Sequence, residues 1–389
     1  DGQMNFTSMG FDGSGNPWVA YRDNGFQASV MRYNGTSWSY VGGRNFTLGG
    51  AMYTSLAFDA SNNAYIAYRD DYWMYGGKAT VQRWNGSSWV AVGSMGFTSG
   101  TADFTSMAID ASGNIYVAYS DGANSSRATV MRYNGTSWAV LGTAGFSAGT
   151  ATYVSLALDQ SGTPYVAYRD AGNSNRVTVR RFNGTSWVNV GSAGFSAGAA
   201  EYVSLAVDKA RNPIVVYKDA VNSNKATVMR FNGTSWVTVV SAGISANTAD
   251  FTSIFLSPFG VPYIAYRDAS VSNKLSVRNL APVINFATVP SVAVSSSTLC
   301  TSGTVTLTAT GTLNDATAWN WYSGSCGGTF LGTGTSISTT VTGSTTYYVR
   351  GQNICASNNG SCGFATVTLT SAATWYKDND GDGWGNPSN

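Results

Sequence analysis

The sequence contains no histidine, and only 11% of its residues are charged, against roughly 25% in ordinary soluble domains. The missing imidazole excludes His-dependent triads, histidine metal sites and the commonest general base. Lys and Arg number 22 against 20 Asp and Glu, so there is no basic excess to hold nucleic acid by counterion release. No apolar run approaches the ~20 residues of a membrane helix, which argues against membrane insertion of this segment. No leader precedes the first strand pattern, which opens almost directly after Asp1, so the chain reads as a processed part of a longer polypeptide. Cysteine occurs four times, always beyond residue 299. Gly, Ser, Thr and Asn carry the polar surface in place of charge, as in an all-β secreted protein.

What the chain has in abundance is self-similarity. One hairpin recurs six times: FTSMGFDGSGNPWVAYRD (6–23), YTSLAFDASNNAYIAYRD (53–70), FTSMAIDASGNIYVAYSD (104–121), YVSLALDQSGTPYVAYRD (153–170), YVSLAVDKARNPIVVYKD (202–219) and FTSIFLSPFGVPYIAYRD (251–268). The closing aspartates, Asp23, Asp70, Asp121, Asp170, Asp219 and Asp268, lie 47, 51, 49, 49 and 49 residues apart. An Asn-Gly turn follows the first five copies at Asn34, Asn85, Asn134, Asn183 and Asn232. A period of roughly 40 to 50 residues with strand patterning indicates propeller blades or arrays. Each unit holds two hairpins, one turned by Asp, Ser, Gly or Asn and one by Asn-Gly, the strongest short hairpin signal. Four antiparallel strands per unit, arranged radially, bury faces that no single unit buries alone. The expected fold is therefore all-β: a six-bladed β-propeller of four-stranded blades over residues 1–281, followed by a second domain. The sixth copy departs from the rest, since Ser257 replaces the turn aspartate and no fourth strand follows KLSVRNLAP. Either blade six is short, or sequence before Asp1 supplies its outer strand.

The string AIDASGNIYVAYSDGANSSRATVMRYNG resembles the repeat of NHL and related bacterial propellers, a resemblance that implies architecture and leaves function open. Residues 282–371 have another rhythm. VTLTAT (305–310), WNWYS (319–323), TTYYVRG (345–351) and FATVTLT (364–370) read as strands of an immunoglobulin-like sandwich, with a buried-type tryptophan on the third. This segment resembles the immunoglobulin-like modules of Bacteroidetes surface proteins. With Cys300 opening the second strand, Cys326 following the third, and Cys355 and Cys362 flanking the last hairpin, the expected pairs are Cys300 with Cys326 and Cys355 with Cys362. Disulfides imply an oxidising, extracellular or cell-surface location.

Residues 372–389 end in DNDGDGWGNPSN. Asp378, Asp380 and Asp382 alternate before Gly383, the D-x-D-x-D-G opening of a calcium loop, with Trp384 and Asn386 at the seventh and ninth positions and Asn389 at the twelfth. The pattern resembles thrombospondin type 3 calcium repeats, which implies a Ca2+ ion stiffening a linker. A twelfth-position Glu is lacking.

In a propeller the D-x-S-G and N-G turns share one face, and the longer, more variable second-to-third-strand loops lie on the other, where function is expected. Blade two breaks the pattern there. Its loop reads DYWMYGGK, and Tyr72, Trp73 and Tyr75 replace small polar residues with aromatics that either fold over the blade edge and bury their own rings or suit a sugar ring or a protein partner. The same face collects Arg22, Arg69, Arg169, Lys218 and Arg267, with Ser120 interrupting the series, and Asp103, Glu201 and Asp250 across the hairpin. These are expected to pair between blades, or, with Arg69, to border a ligand site. The leading reading is a non-catalytic binding or adhesion segment of a large surface protein, its propeller contacting a glycan or a surface protein. The alternatives are a carbohydrate-active enzyme using Asp103, Glu201 and Asp250, and a structural spacer.

Overall fold

The computed structural model describes residues 4–257, 260–280, 288–313, 316, 318–352 and 361–370. It divides into two compact units, Asp1–Leu280 and Ala281–Asn389. The first holds six antiparallel sheets, each a meander in sequence order. Blade one runs Asn5–Phe11, Pro17–Arg22, Ala28–Tyr33 and Trp38–Tyr40. Blade four, the regular repeat, runs Ala151–Leu158, Pro164–Asp170, Arg176–Phe182 and Trp187–Asn189. Five sheets have four strands. The sixth has three among the described residues, Ala249–Leu256, Pro262–Asp268 and Lys274–Asn279, the short form that the sequence allowed where the Asn-Gly turn is missing.

The second strand of each inner blade lies between two neighbouring sheets and is buried on both faces, as in Pro164–Asp170. The first strands pack against one another from blade to blade. Each first strand carries a bulge at its aromatic residue: Thr152 pairs with Arg169 and Ser155 with Ala167, so Tyr153 and Val154 face one partner position. The bulge puts Phe6, Tyr53, Phe104, Tyr153, Tyr202 and Phe251 in the left-handed region, φ 51 to 54°, which is unusual for an aromatic. Their rings form a ladder with successive centroids 4.7, 4.8, 5.3, 5.0 and 4.6 Å apart.

Two hydrogen bonds recur at the blade interfaces. The amides of Leu56, Met107, Leu156, Leu205 and Ile254 donate to Ser8, Ser55, Ser106, Ser155 and Ser204 of the preceding blade at 2.9 to 3.1 Å. The indoles of Trp89, Trp138, Trp187 and Trp236 donate back to the carbonyls of Val41, Val92, Leu141 and Val190. A small residue lets the sheets approach: a Cβ on Gly10 would meet the Phe58 ring at 3.0 Å.

Among the described residues no comparable packing joins the first strand of blade six to that of blade one. The burial of repeat-equivalent side chains shows the consequence. Leu56 is 7% exposed, while Met9 at the same position of blade one is 60% exposed. Ala226 and Val228 of blade five are fully buried, while Leu275 and Val277 of blade six are 73% and 60% exposed. Blade six also carries Phe255 where the other blades have Gly10, Ala57, Ala108, Ala157 and Ala206. Its outer face is therefore larger and more apolar than a regular interface half.

The second unit is a two-sheet sandwich. Ser291–Val294, Gly303–Thr310 and Ser336–Val341 form one sheet. Thr298–Leu299, Gly363–Leu369, Thr345–Gln352, Ala318–Ser323 and Thr329–Thr333 form the other, in that spatial order. Trp321, Leu307, Val349 and Val367 fill the core, and the Trp321 indole donates to the Gly334 carbonyl at 2.8 Å.

The disulfide joins Cys326 to Cys362 and so corrects both expected pairs. The reason is register. Ser323 lies opposite Tyr347 and Gly363 opposite Val349, so the residues just beyond the one strand and just before the other meet across Thr345–Gln352. Leu299 pairs with Leu369, at the far end of the last strand and about 20 Å from Gly363, which keeps the exposed Cys300 away from Cys326. Cys355 lies outside the described residues.

Candidate functional site

The second-to-third-strand connection shows what a regular blade does with this position. In blade four, buried Asp170 caps a short 3-10 turn, Ala171–Asn173, by accepting from the Gly172 amide (3.1 Å), Asn173 Nδ2 (2.8 Å) and Thr178 Oγ1 (3.1 Å). Ser174 and Asn175 then take the left-handed dihedrals that return the chain. Blade three repeats this with Asp121, Asn124 and Thr129.

Blade two keeps the aspartate and changes the rest. Asp70 pairs with Lys78 where Asp121 pairs with Arg127, so the connection is two residues longer. Asp70 still accepts from the Tyr72 amide (3.1 Å) and from Thr80 (2.9 Å), and Gly76 and Gly77 supply the positive φ. Burial raises the proton affinity of Asp70 against the hydrogen bonds that lower it. The extra length projects aromatic side chains. Tyr72 lies with its ring centroid 5.7 Å from Trp73 and 5.8 Å from Tyr75. The Tyr72 backbone is fitted against Gly49, where a Cβ would come within 2.5 Å of it. Tyr75 covers Gly96, and its hydroxyl donates to Met95 Sδ at 3.6 Å. These two rings are half-buried, whereas Trp73 is 78% exposed.

Arg69 stands beside this loop, its guanidinium held by Asp71 at 2.9 Å and by Asp103 of blade three. The structure thus brings together Tyr72, Trp73, Tyr75, Arg69 and Asp103. Glu201 and Asp250 belong to a separate chain of charge across blades four to six. Arg169 lies 3.9 Å from Glu201, and Lys218 bridges Glu201 (3.3 Å) and Asp250 (2.8 Å). Arg267 also reaches Asp250 at 2.5 Å. Burial pushes the Asp250 carboxyl up, but hydrogen bonds from Lys218 and Arg267 outweigh it and hold the group below the usual carboxylate range. Lys218 is held above its ordinary value by the same two acids. Three of these contacts, Arg69 to Asp103, Arg169 to Glu201 and Lys218 to Asp250, tie one blade to the next.

No cluster of three metal-ligating side chains occurs among the described residues. The Asp378, Asp380, Asp382, Trp384 and Asn386 motif lies outside them. One feature was not anticipated from sequence, a cleft between blades three and four on the face of the D-x-S-G and N-G turns. Its signal in the sequence is an arginine at one position of the third strand in five blades, Arg32, Arg83, Arg132, Arg181 and Arg230.

Residues 288–372 match the family described as Ig-like domain CHU_C associated. No curated protein matches the chain. Among solved structures, the SapL1 lectin in complex with α-methyl fucoside is 12% identical, with a TM-score of 0.51 over 71% of this chain and 94% of that one. A fungal lectin of Aleuria aurantia, described as a six-bladed β-propeller with a novel fucose recognition mode, is 15% identical with a TM-score of 0.48, covering 70% and 93%. The α-L-arabinanase of Penicillium chrysogenum complexed with arabinobiose is 11% identical with a TM-score of 0.47, covering 71% and 93%. At these identities the likeness concerns fold alone. The chain is thus an all-β protein in which a propeller-type array of six blades precedes an immunoglobulin-like domain of CHU_C-associated type.

Proposed function

We propose that the chain is a non-catalytic binding segment of a bacterial surface protein, in which the propeller unit holds a glycan at the blade-two loop. The observation that carries this reading is Trp73, 78% exposed in a connection two residues longer than that of the regular blades. An exposed indole costs little conformational entropy to hold and offers a flat face to the C–H side of a sugar ring. Half-buried Tyr72 contacts its ring and is in turn backed by Tyr75, and Arg69, Asp71 and Asp103 put hydrogen-bonding groups near the loop for hydroxyls. Lectins among the matched propellers agree with a carbohydrate ligand as a class, and the CHU_C-associated domain agrees with extracellular display.

The alternative of a glycoside-cleaving enzyme is less well supported. Such enzymes need one carboxyl held protonated near neutral pH to protonate the leaving group. Asp103, Glu201 and Asp250 are all ion-paired, and Asp250 is shifted toward the charged form. The C-terminal motif belongs to the proposal as a calcium-stiffened linker, with Asp378, Asp380 and Asp382 as carboxylate ligands and Asn386 beside them. Calcium titration of the 389-residue chain, with Asp380→Asn as control, checks that part: saturable heat in the parent and none in the variant.

The function is tested by screening the 389-residue chain against arrayed glycans beside a Tyr72→Ala/Trp73→Ala variant. Retained binding in the parent and its loss in the variant supports the site. A screen in which the double change weakens the binding of no glycan contradicts it.

A further inference from the structure

We infer that the cleft between blades three and four is a second binding site, for an anionic saccharide carrying carboxylate or sulfate groups. Its volume is about 400 Å³, within the range of roughly 300 to 1,000 Å³ typical of small-ligand clefts. Blade three contributes Tyr116 and Arg132, and blade four contributes Thr163, Pro164, Arg181 and Phe182. Two guanidinium groups therefore share one cleft.

The carboxylates nearest to them are committed elsewhere. Asp110 accepts from the Ser112 and Asn114 amides (2.9 Å each), Asn114 Nδ2 (2.8 Å) and the Tyr116 hydroxyl (3.1 Å). Asp159 accepts from the Ser161 and Thr163 amides (2.9 Å each) and the Ser161 hydroxyl (2.7 Å), and lies 3.8 Å from Arg211. Among the described residues neither Arg132 nor Arg181 forms an ion pair with them or with any other carboxylate. Arg32, at the same repeat position, is by contrast neutralised by Asp12 at 3.1 Å.

Two guanidinium forks without an ion pair, Arg132 from blade three beside the Tyr116 hydroxyl and Arg181 from blade four, select a ligand with planar or tetrahedral anionic groups, because each such group accepts parallel N–H bonds. Pro164 and Phe182 add apolar surface for a sugar ring. Arg83 and Arg230 continue the series in blades two and five, so a chain of repeating anionic units suits the surface better than an isolated ion. The site shares no residue with the blade-two loop, and each stands or falls alone.

The test is titration of the 389-residue chain with an oligogalacturonate, a sulfated galactose oligomer and a neutral galactose oligomer of equal length. The uronate or the sulfated oligomer should bind, the neutral one at least tenfold more weakly, with affinity falling as salt rises from roughly 50 to 500 mM. Arg132→Gln and Arg181→Gln should each weaken binding at least tenfold. Arg32→Gln and Trp73→Ala should leave it unchanged, with all melting temperatures within a few degrees of the parent. Preference for the uronate indicates recognition of the planar carboxylate, equal binding indicates recognition of charge, and both uphold the site. Equal binding of the neutral oligomer by Trp73→Ala, insensitivity to the two arginine changes, no binding of either anionic oligomer, or a single-stranded oligonucleotide outcompeting both would overturn it.

Discussion

Blades two and four connect their second and third strands at the same place, with the same buried aspartate, and end differently. In blade four the Asp170 and Asn173 side chains are committed to closing the turn itself. In blade two the same aspartate holds a longer loop whose indole has nothing to cover. A residue present in every blade serves what every blade needs, which is attachment to the next sheet. A residue present in one blade is free of that duty. A second contrast makes the same point through burial: Val228 and Val277 occupy one repeat position, and only the one with a following blade is buried.

The contrast is broken most severely by removing a repeated residue. Asp170→Ala strands the Gly172, Asn173 and Thr178 donors in the interior and should cost about 3 kcal/mol in denaturant unfolding. Trp73→Ala should change stability by no more than about 0.5 kcal/mol. Next, Ala206→Phe places blade six's residue in a regular interface and should cost about 2 kcal/mol through overpacking, whereas Phe255→Ala should be close to neutral. Ser106→Ala leaves the Leu156 amide without its acceptor, at about 1 to 2 kcal/mol. Ser253→Ala, with no following blade to serve, should stay within about 0.5 kcal/mol.

The smallest expected effect is on pH dependence. Asp12, Asp59, Asp159 and Asp250 are all lowered in the folded chain, Asp12 to about 2, as hydrogen bonds or cationic partners outweigh burial. Their stabilisation is complete above the unfolded carboxylate value near 3.8 and is lost as pH falls through the folded values. The melting temperature should therefore drop between about pH 4 and pH 2. Asp70, raised by burial, works in the opposite sense and offsets part of the change. Asp12→Asn should flatten the acid limb, and an unchanged limb would contradict the assignment.

Most of the fold was legible because its signals are local. The Asn-Gly turns mark the outer hairpins, and their loss after blade six goes with a sheet of three strands among the described residues. The disulfide was not legible, because it depends on which residues lie opposite each other on Thr345–Gln352, a property of register. The bare faces of blades one and six were equally hidden, since Met9 and Leu275 look like their buried counterparts until the neighbouring sheet is absent. At the candidate site, the singular loop was visible as a break in the repeat. Which of its three rings projects was not, because Tyr72 and Tyr75 are covered by contacts to Gly49, Met95 and Gly96. The cleft between blades three and four escaped notice because its residues repeat, and only the pairing of Asp12 with Arg32 distinguishes a neutralised copy from an open one.

The central claim is that the singular loop binds and the repeated residues hold. Its most direct test is to titrate a glycan that the parent chain binds into Trp73→Ala, with unfolding followed on the same samples. The account expects affinity to fall at least tenfold, about 1.4 kcal/mol, with stability unchanged. Unchanged affinity, or a loss that merely tracks unfolding, would contradict it.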